Sequence, residues 1–407
     1  MKTEREYPKA IISERARRRQ QSFHPWVYDN EIEEVTGAYA NGDLVDVMTH
    51  GGKYIGTGFI NDNSKIRIRL ISRNANDVFD KSFWRRRIDY AIDYRMTVMG
   101  DHDFRCSRII FGEADEMPGL TVDRYEDVLV TQVLSLGIEM RKEMIFDALY
   151  EAFTQRGIDI SGIYERNDVA IRSLEGMTEY KGFYSSDTVP EGEKTLVQID
   201  ENGIIYTVDI ENGQKTGFFL DQKYNRQAVA RIASGKKVLD CFTHTGSFAL
   251  NAAAGGAMHV HAVDVSETAV EMARKNAGIN GLSDIMSFEA CDVFDLLPTI
   301  RKGEYDMIIL DPPAFTKSRK TTENAKKGYK EINLRAMKAL PRGGYLATCS
   351  CSHFMDEDSF EKMLISAASD AGLKIRQIEK RQQSPDHPIL LNVKETDYLK
   401  FFIVQVF

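Results

Sequence analysis

Four aspartates each end a short, mostly apolar run in the second half of the 407-residue chain: Asp240, Asp264, Asp292 and Asp311. Such runs, separated by helical patterns, are typical of strands in a parallel sheet. Because ligands of open α/β sheets bind outside the carboxyl ends of the strands, the four carboxylates are expected to line one crevice. For each aspartate alone the alternative role is a helix N-cap, as for Asp292.

The loop after Asp240 indicates which ligand the crevice binds. It leads into a helix and holds a single glycine, Gly246. A pyrophosphate needs several glycines for close backbone approach, so the loop favours S-adenosylmethionine (SAM), which has no phosphate. Asp264 follows Asp240 by about two dozen residues, a spacing typical of an acid that binds ribose hydroxyls. The predicted cofactor-binding residues are Asp240, Phe242, Thr243, Thr245, Gly246, Asp264, Asp292 and Asp311.

The segment Asp311-Pro312-Pro313 directly follows an apolar run. Its two prolines remove two amide donors and stiffen the loop, so Asp311 and the neighbouring carbonyls can hold a planar base in a fixed geometry. Enzymes that methylate exocyclic amines usually place an aromatic residue directly after the prolines. Here Ala314 occupies that position and Phe315 comes one residue later, which disfavours amine methylation.

Two cysteines, Cys349 and Cys351, end a further apolar run. Cytosine C5 is a weak nucleophile, and a thiolate that adds to C6 creates the enamine that can take a methyl group. A cysteine in the same crevice as Asp311 meets that need if basic neighbours lower the pKa of its thiol. The alternatives are a pair of small buried side chains and a metal site with His353, which lacks a clear fourth ligand.

A doubly wound α/β domain would position these residues. From Val238 to Cys351 apolar strands alternate with helical patterns, which predicts a Rossmann-like sheet with helices on both faces. After a helix at 356–371, strands at 373–376 and 398–404 have no helix between them, so they can be neighbours only as an antiparallel pair. A hairpin with Glu201-Asn202-Gly203 at its turn opens this domain.

Two smaller domains are predicted before it, with boundaries at 1–73, 74–187 and 188–407. Short alternating strands in residues 1–73 indicate a small β-barrel. The middle domain is α+β, with a helix at 83–98, strands at 119–122 and 128–133, a helix at 138–153, and strands at 162–165 and 169–172. Its polar residues Arg108, Glu113, Asp123 and Arg124 are expected to form structural ion pairs rather than a recognition surface.

Charge and composition restrict the function classes. The formal net charge of -8 argues against a uniformly basic nucleic-acid binder, but basic residues cluster at 15–19, 65–87 and 316–330. Such clusters can bind phosphates, or each can be a solvated face. Five cysteines and the lack of a long apolar stretch predict a cytoplasmic protein with no membrane partner. The predicted RNA-binding residues are Arg67, Arg69, Lys317, Arg319, Lys320 and Lys330.

From about Arg15 to Phe407 the chain resembles the bacterial large-subunit ribosomal RNA cytosine-5 methyltransferases. The matching segments are His24-Pro25-Trp26-Val27, Gly119-Leu120-Thr121-Val122-Asp123-Arg124, Lys215-Thr216-Gly217-Phe218-Phe219-Leu220-Asp221-Gln222, Asp311-Pro312-Pro313, Gly328-Tyr329-Lys330-Glu331-Ile332-Asn333, Ser350-Cys351-Ser352 and Asp386-His387-Pro388. The resemblance implies an N-terminal PUA domain, SAM as cofactor and 23S ribosomal RNA as substrate. It also implies that Cys351 is the nucleophile and that Asp221 contacts the amino-acid end of SAM.

The predicted function is therefore SAM-dependent formation of 5-methylcytosine in ribosomal RNA, with Cys351 and Asp311 as catalytic residues. Many other RNA cytosine-5 methyltransferases carry a second cysteine beside the prolines, but Ile309 and Leu310 stand there, so the base that removes the C5 proton is unassigned. The alternatives are methylation at uracil C5 or at an exocyclic amine, and an RNA-binding protein with an inactive methyltransferase fold. The target nucleotide and a homodimeric state stay open.

Overall fold

The computed structural model of the protein describes residues 5–315 and 322–407. The chain divides into two compact units. The first comprises Met1–Ile199, Val208–Leu220 and Pro385–Thr396, and the second comprises Asp200–Thr207, Asp221–Ser384 and Asp397–Phe407. The predicted boundaries at residues 73 and 187 stay predictions, because the first unit contains both of the smaller predicted domains.

The N-terminal part of the first unit is a mostly antiparallel sheet. Its elements are β1 (Lys9–Ile12), α1 (Glu14–Gln20), β2 (Trp26–Val27), β3 (Ile32–Thr36), β4 (Leu44–Thr49), β5 (Tyr54–Ile60) and β6 (Ile68–Ser72). The six strands lie in the order β2-β6-β5-β4-β1-β3. Ile68 and Leu70 of β6, two positions apart and therefore on one face of the strand, are buried with Val45 and Val47 in one apolar core.

A second part of the first unit is the predicted α+β part. Its elements are α2 (Lys81–Phe104), β7 (Cys106–Phe111), β8 (Leu120–Tyr125), β9 (Val128–Val133), α3 (Leu136–Glu139), α4 (Lys142–Thr154), β10 (Gly162–Asn167) and β11 (Tyr180–Tyr184). The five strands form one sheet in chain order. The strand predicted at 169–172 is wrong, because Ala170–Glu175 is a 3-10 helix. Within this turn the buried Arg172 guanidinium donates to the carbonyls of Val133 and Thr178, a requirement that the alternation of residues does not reveal.

Helix α2 spans 24 residues and changes direction at Gly100, where φ is 69°. It carries several arginines along its length, including Arg85, Arg86 and Arg87.

No helix within residues 5–315 and 322–407 combines the length and the apolar composition needed to cross a membrane.

A hairpin follows, formed by β12 (Leu196–Glu201) and β13 (Ile204–Asp209). Asn202 and Gly203 at its turn have φ of 61° and 77°, the positive values that a two-residue hairpin turn requires. The helices and longer strands of the second unit after this hairpin are α5 (Lys223–Ala233), β14 (Lys237–Cys241), α6 (Ser247–Ala254), β15 (His259–Asp264), α7 (Glu267–Ile279), β16 (Met286–Ala290), α8 (Val293–Leu296), β17 (Met307–Leu310), α9 (Thr322–Ala339), β18 (Tyr345–Ser350), α10 (Glu357–Asp370), β19 (Ile375–Arg381) and β20 (Lys400–Val406).

The second unit contains a seven-stranded sheet in the order β16-β15-β14-β17-β18-β20-β19. The first five strands in this order are parallel to one another, which confirms the predicted Rossmann-like sheet. Strand β20 runs antiparallel to both β18 and β19, as the missing helix between the last two strands predicts. Strand β17 is apolar and buried at every residue, as expected for a central parallel strand with helices on both faces.

Candidate active site

The four predicted aspartates lie at or just after the carboxyl ends of four neighbouring parallel strands. Asp240 lies in β14, Asp264 ends β15, and Asp292 and Asp311 come just after β16 and β17. Cys241 is level with Leu310 in the register of β14 and β17, so these strands end together. The topology therefore brings the four carboxylates to one edge of the sheet, where parallel strands end and ligands bind.

The loop between β14 and α6 contains three left-handed residues. Phe242, His244 and Gly246 have φ of 64°, 52° and 84°. For the two non-glycine residues this conformation costs about 1–3 kcal/mol each, and it persists only where the surroundings hold it. Asp264 provides such a constraint, because its Oδ2 atom accepts a hydrogen bond from the His244 amide at 2.9 Å. The loop is thus locked by the carboxylate of the next strand.

Asp240 lies beneath this loop and is fully buried, with the Thr243 hydroxyl donating to its Oδ2 atom at 2.6 Å. Burial, aided by two neighbouring carboxylates, raises the pKa of Asp240 to about 7. Among the described residues, Asp240 Oδ1 and Thr245 Oγ1 are buried without a hydrogen-bond partner. Burial lowers the pKa of His244 to about 4, so this imidazole adds no positive charge. The site therefore fits a cation with hydrogen-bond donors, and SAM has both features.

Asp264 and Asp292 also make hydrogen bonds to nearby backbone amides. Asp264 Oδ1 accepts from the Ser266 amide at 3.0 Å. Asp292 is the N-cap of α8, with its Oδ1 atom accepting from the Phe294 amide at 2.8 Å. The N-cap role that the sequence offers as an alternative is therefore present at Asp292, and its contact with the cofactor stays a prediction.

Asp311 lies in a polar cluster with the segment that precedes α5. Gln222 Nε2 donates to Asp311 Oδ1 at 3.2 Å, and Asn225 Nδ2 donates to Gln222 Oε1 at 2.7 Å. Next to Gln222, the buried Asp221 carboxylate accepts from the Tyr398 hydroxyl at 2.6 Å. Asp311 and Asp221, which come from separate motifs, are thus held by hydrogen bonds to Gln222 and to Tyr398, respectively.

The two candidate cysteines have different environments. Cys349 lies inside β18 and is fully buried, and its burial beside Asp311 raises the pKa of its thiol well above the usual value. Cys351 follows β18 and is partly exposed. Because a nucleophilic cysteine needs both access and ionisation, this geometry favours Cys351. In the described part of the chain, no group of three or more His, Cys, Asp or Glu side chains could hold a metal ion.

Sequence reasoning missed two residues near Cys351. Lys400 is 4% exposed, and its Nζ atom donates to the carbonyls of Ser352 at 2.6 Å and Tyr398 at 2.8 Å. Burial lowers the pKa of Lys400 to about 8. The Tyr329 hydroxyl lies near the Cys351 thiol, and burial raises its pKa so that it stays neutral. The only sequence signal for Lys400 is a charged residue at the start of a mostly apolar strand.

Phe315 packs into an aromatic cluster. Its ring centroid lies 4.5 Å from that of Tyr329 and 5.9 Å from that of Phe294. The ring is partly buried against the core that also contains Tyr329. This packing does not favour Phe315 as a ring that stacks on a base.

The arginines predicted to bind RNA take part in ion pairs. Arg67 lies 3.0 Å from Asp29 and 2.9 Å from Asp62. The Arg69 side chain is 13% exposed and lies 2.8 Å from the buried Glu175. The contact of Arg69 favours a structural role, whereas Arg67 lies nearer the surface and stays a predicted RNA contact.

The predicted basic segment at 316–330 is only partly described. Lys317, Arg319 and Lys320 lie outside the described residues. Lys330 lies 2.6 Å from Asp370 of α10. It lines a groove between α9 and α10 with three further lysines, Lys326, Lys327 and Lys362. Four lysines in one groove make it suitable for phosphates.

Of the four polar residues expected to form ion pairs, Arg108, Asp123 and Glu113 do so, whereas Arg124 contacts a backbone carbonyl. Arg108 Nε lies 2.7 Å from the fully buried Asp123. Glu113 accepts from the Trp26 indole at 2.8 Å. Arg124 donates to the carbonyl of Glu126 at 2.7 Å.

Two family models match the chain. A model of S-adenosylmethionine-dependent methyltransferases matches residues 183–400, and a PUA-like domain model matches residues 10–73. The first match covers more than half of the chain and includes every predicted cofactor-binding residue.

Proteins named ribosomal RNA large subunit methyltransferase I are similar along nearly the whole chain. The protein from Aeromonas salmonicida (strain A449) is 42% identical over 386 residues, which is 94% of this chain and 95% of that protein. The protein from Klebsiella pneumoniae subsp. pneumoniae is 36% identical over 403 residues, 98% of each. Among solved structures, a Streptococcus mutans protein described as a SAM-dependent methyltransferase has a TM-score of 0.81 at 21% identity, covering 98% of this chain and 99% of that chain. It has the same fold.

Proposed function

The chain belongs to the family of SAM-dependent methyltransferases named ribosomal RNA large subunit methyltransferase I, and from that premise we propose that it methylates C5 of a cytosine in large-subunit ribosomal RNA. SAM and methyl transfer follow from the family. The cytosine and its C5 atom are proposed from the site. The observation that carries the proposal is a partly exposed cysteine, Cys351, at the end of β18, next to the strand that leads to Asp311.

Cys351 can supply what C5 methylation needs. Addition of its thiolate to C6 forms an S–C6 bond and makes C5 an enamine carbon that can attack a methyl group. SAM supplies that methyl group. Loss of the C5 proton to a base then allows the S–C6 bond to break, which restores the cysteine. Cys349 is less suited to this role because it is buried and its thiol resists ionisation.

Asp311 is proposed to hold the base. Its carboxylate is fixed by Gln222 on one side and by the stiff Pro312-Pro313 segment on the other. A carboxylate that accepts from the N4 amino group of cytosine discriminates against uracil, which has a carbonyl there. This argument favours cytosine over uracil, and the packing of Phe315 disfavours the amine-methylation alternative.

The aspartate edge of the sheet is proposed to bind SAM. Asp264 is suited to the ribose hydroxyls, and Asp292 to the adenine edge. Asp240 and Asp221 bring negative charge to the amino-acid end. The unpartnered oxygen of Asp240 and the unpartnered hydroxyl of Thr245 support this orientation, because buried polar atoms without partners are costly unless a ligand satisfies them.

The PUA-like residues 10–73 and the lysines of the α9–α10 groove are proposed to hold RNA. Phosphate contacts fix the register of a nucleic acid without reading its sequence. The target cytosine would then be selected by the shape of the surrounding RNA and by its contact with Asp311.

Nucleoside mass spectrometry of large-subunit ribosomal RNA tests this function. A strain that lacks the gene is complemented with wild type, Cys351→Ala or Cys349→Ala. Deletion is expected to remove one 5-methylcytidine, which wild type and Cys349→Ala restore and Cys351→Ala does not. Loss of a different methylated nucleoside would refute the cytosine-5 assignment.

Calorimetry with SAM separates this function from an inactive RNA-binding fold. The proposed enzyme is expected to bind SAM, whereas an inactive RNA-binding protein has no need of a SAM site.

A further inference from the structure

Lys400 is anchored next to the proposed nucleophile. It is the first residue of β20 and pairs with Ser350 in the register of β18 and β20. Its Nζ atom donates to the carbonyl of Ser352, the residue after Cys351, at 2.6 Å and to the carbonyl of Tyr398 at 2.8 Å. With the side chain only 4% exposed, the ammonium group is fixed on the backbone that carries Cys351.

The charges around Lys400 come from three elements. Asp397 precedes β20, Asp356 and Glu357 lie at the start of α10, and the Cys351 thiol follows β18. Burial lowers the pKa of Lys400 to about 8, so the group is mostly protonated at neutral pH. An ammonium group has three N–H donors, and the two carbonyls use two of them. The ammonium group therefore keeps one further donor while it is held on the backbone next to Cys351.

Among the described residues, Tyr329 and Cys349 also interact electrostatically with Cys351. Burial raises the pKa of both, so both stay neutral at neutral pH. Neither side chain can stabilise a negative charge at Cys351 through a charge of its own. In the described part of the chain, Lys400 supplies a cation on the backbone next to Cys351.

We propose that Lys400 is a positioning residue that holds Cys351 as a thiolate, ready for addition to C6. Ionisation moves the thiol proton to Nζ when Lys400 is neutral and to solvent water when Lys400 is already charged. In both cases the product is a thiolate beside an ammonium group. The proposal rests on the proposed function, because it takes Cys351 as the nucleophile.

Alkylation of Cys351 by iodoacetamide tests the proposal in the full-length protein, with the Cys351 peptide quantified by mass spectrometry from pH 6 to 9.5. The main variant is Lys400→Gln, which keeps two donors for the carbonyls but removes the charge. A nearby opposite charge shifts a thiol by about 1–3 pKa units, so alkylation at pH 7 is expected to slow about tenfold or more. At pH 9.5, where thiols are ionised, the alkylation rates of wild type and Lys400→Gln should converge. Equal rates there would show that iodoacetamide reaches Cys351 equally well in both proteins.

Three variants control the experiment. Lys400→Arg keeps the charge and is expected to stay near the wild-type rate, and the exposed Lys374→Met changes charge elsewhere in the same unit and should have no effect. Lys400→Met replaces the Gln variant if that variant does not fold, as judged by circular dichroism. Equal rates in wild type and Lys400→Gln overturn the proposal. Equal slowing in Lys400→Arg and Lys400→Gln also overturns it, because such a loss does not depend on charge.

A second measurement separates this proposal from the proposed function. RNA with 5-fluorocytidine at the target traps the S–C6 adduct without loss of a C5 proton, and Lys400→Gln is expected to slow its formation. An unchanged rate of adduct formation with reduced methylation would mean that Lys400 acts after addition, which contradicts the proposal. If Cys351→Ala keeps full methylation, the proposed function fails, whereas the alkylation result stands by itself.

Discussion

At the scale of single residues, Cys349 and Cys351 are two positions apart but differ in what they can do. The sequence places both at the end of one strand, and only the fold shows that Cys349 is sealed inside β18 while Cys351 is partly exposed. The strand-end aspartates were predictable, because an acid after an apolar run is a local pattern. Lys400 was not assigned, because its importance arises from register with Ser350, which is 50 residues earlier in the chain.

Asp240 gives a residue-scale prediction about pH. Its pKa in the folded protein is raised to about 7 from 3.8, so the folded state prefers the neutral acid. The unfolding free energy contributed by this group is therefore highest below pH 4 and falls as the pH rises towards 7. In Asp240→Asn the side chain does not ionise, so the unfolding free energy no longer falls with rising pH on its account. Each unit by which the pKa of Asp240 is raised corresponds to about 1.4 kcal/mol of unfolding free energy. The variant is expected to melt a few degrees above wild type at pH 8 and at the same temperature near pH 4.

The same variant is expected to bind SAM more weakly at pH 8, because the carboxylate that balances the cationic cofactor is lost. Thermal melts with and without SAM measure both effects. The exposed Asp284→Asn serves as the control and should change neither. A variant that is less stable at pH 8 and binds SAM as wild type does would show that Asp240 is purely structural.

At the scale of elements, the sequence predicts strands and helices well where one periodicity dominates. The parallel strands β14 and β17 and the antiparallel pair β19 and β20 are of this kind. Prediction failed at 169–172, where alternation resembles a strand but the chain forms a 3-10 helix in which the buried Arg172 donates to two carbonyls. Periodicity reports which face is buried, and it does not report the partners of a buried charge.

A buried ion pair that joins two elements gives the next prediction. Arg226 of α5 lies 2.5 Å from Glu201 at the end of β12, and their side chains are 1% and 0% exposed. Removal of one partner leaves a buried charge, at a cost of about 3–5 kcal/mol. Arg226→Met is expected to lower the urea midpoint strongly. The double variant Arg226→Met/Glu201→Leu should recover most of the loss, and a double variant as unstable as the single one would show that packing rather than charge is responsible.

At the scale of the whole molecule, a chain with a net charge of -8 is proposed to bind RNA. This requires the positive charge to be local. The groove of α9 and α10 gathers four lysines, and the segment with Lys317, Arg319 and Lys320 directly precedes it in sequence. The sequence predicted this concentration of charge, but the ion pairs that engage Arg67 and Arg69 could be seen only in the fold.

Salt dependence tests where the RNA binds. Replacing Lys317, Arg319 and Lys320 with alanine is expected to weaken RNA binding and to reduce the slope of log affinity against log salt by about 2–3, the value for three lost phosphate contacts. SAM binding should not change. The matched control replaces Lys237, Lys302 and Lys374, exposed lysines near the amino-terminal ends of β14, β17 and β19. Identical slopes for the two triple variants would place the RNA elsewhere.

The most direct test of the central claim is covalent trapping with large-subunit ribosomal RNA that carries 5-fluorocytidine at the target. Fluorine cannot leave C5 as a cation, so the elimination that frees the cysteine is blocked and the adduct persists. Wild type and Cys349→Ala are expected to form an adduct that survives denaturing electrophoresis, with the cross-link mapped to Cys351 by mass spectrometry, and Cys351→Ala is expected to form none. An adduct on Cys349 that persists in Cys351→Ala, or full methylation by Cys351→Ala, would contradict the account.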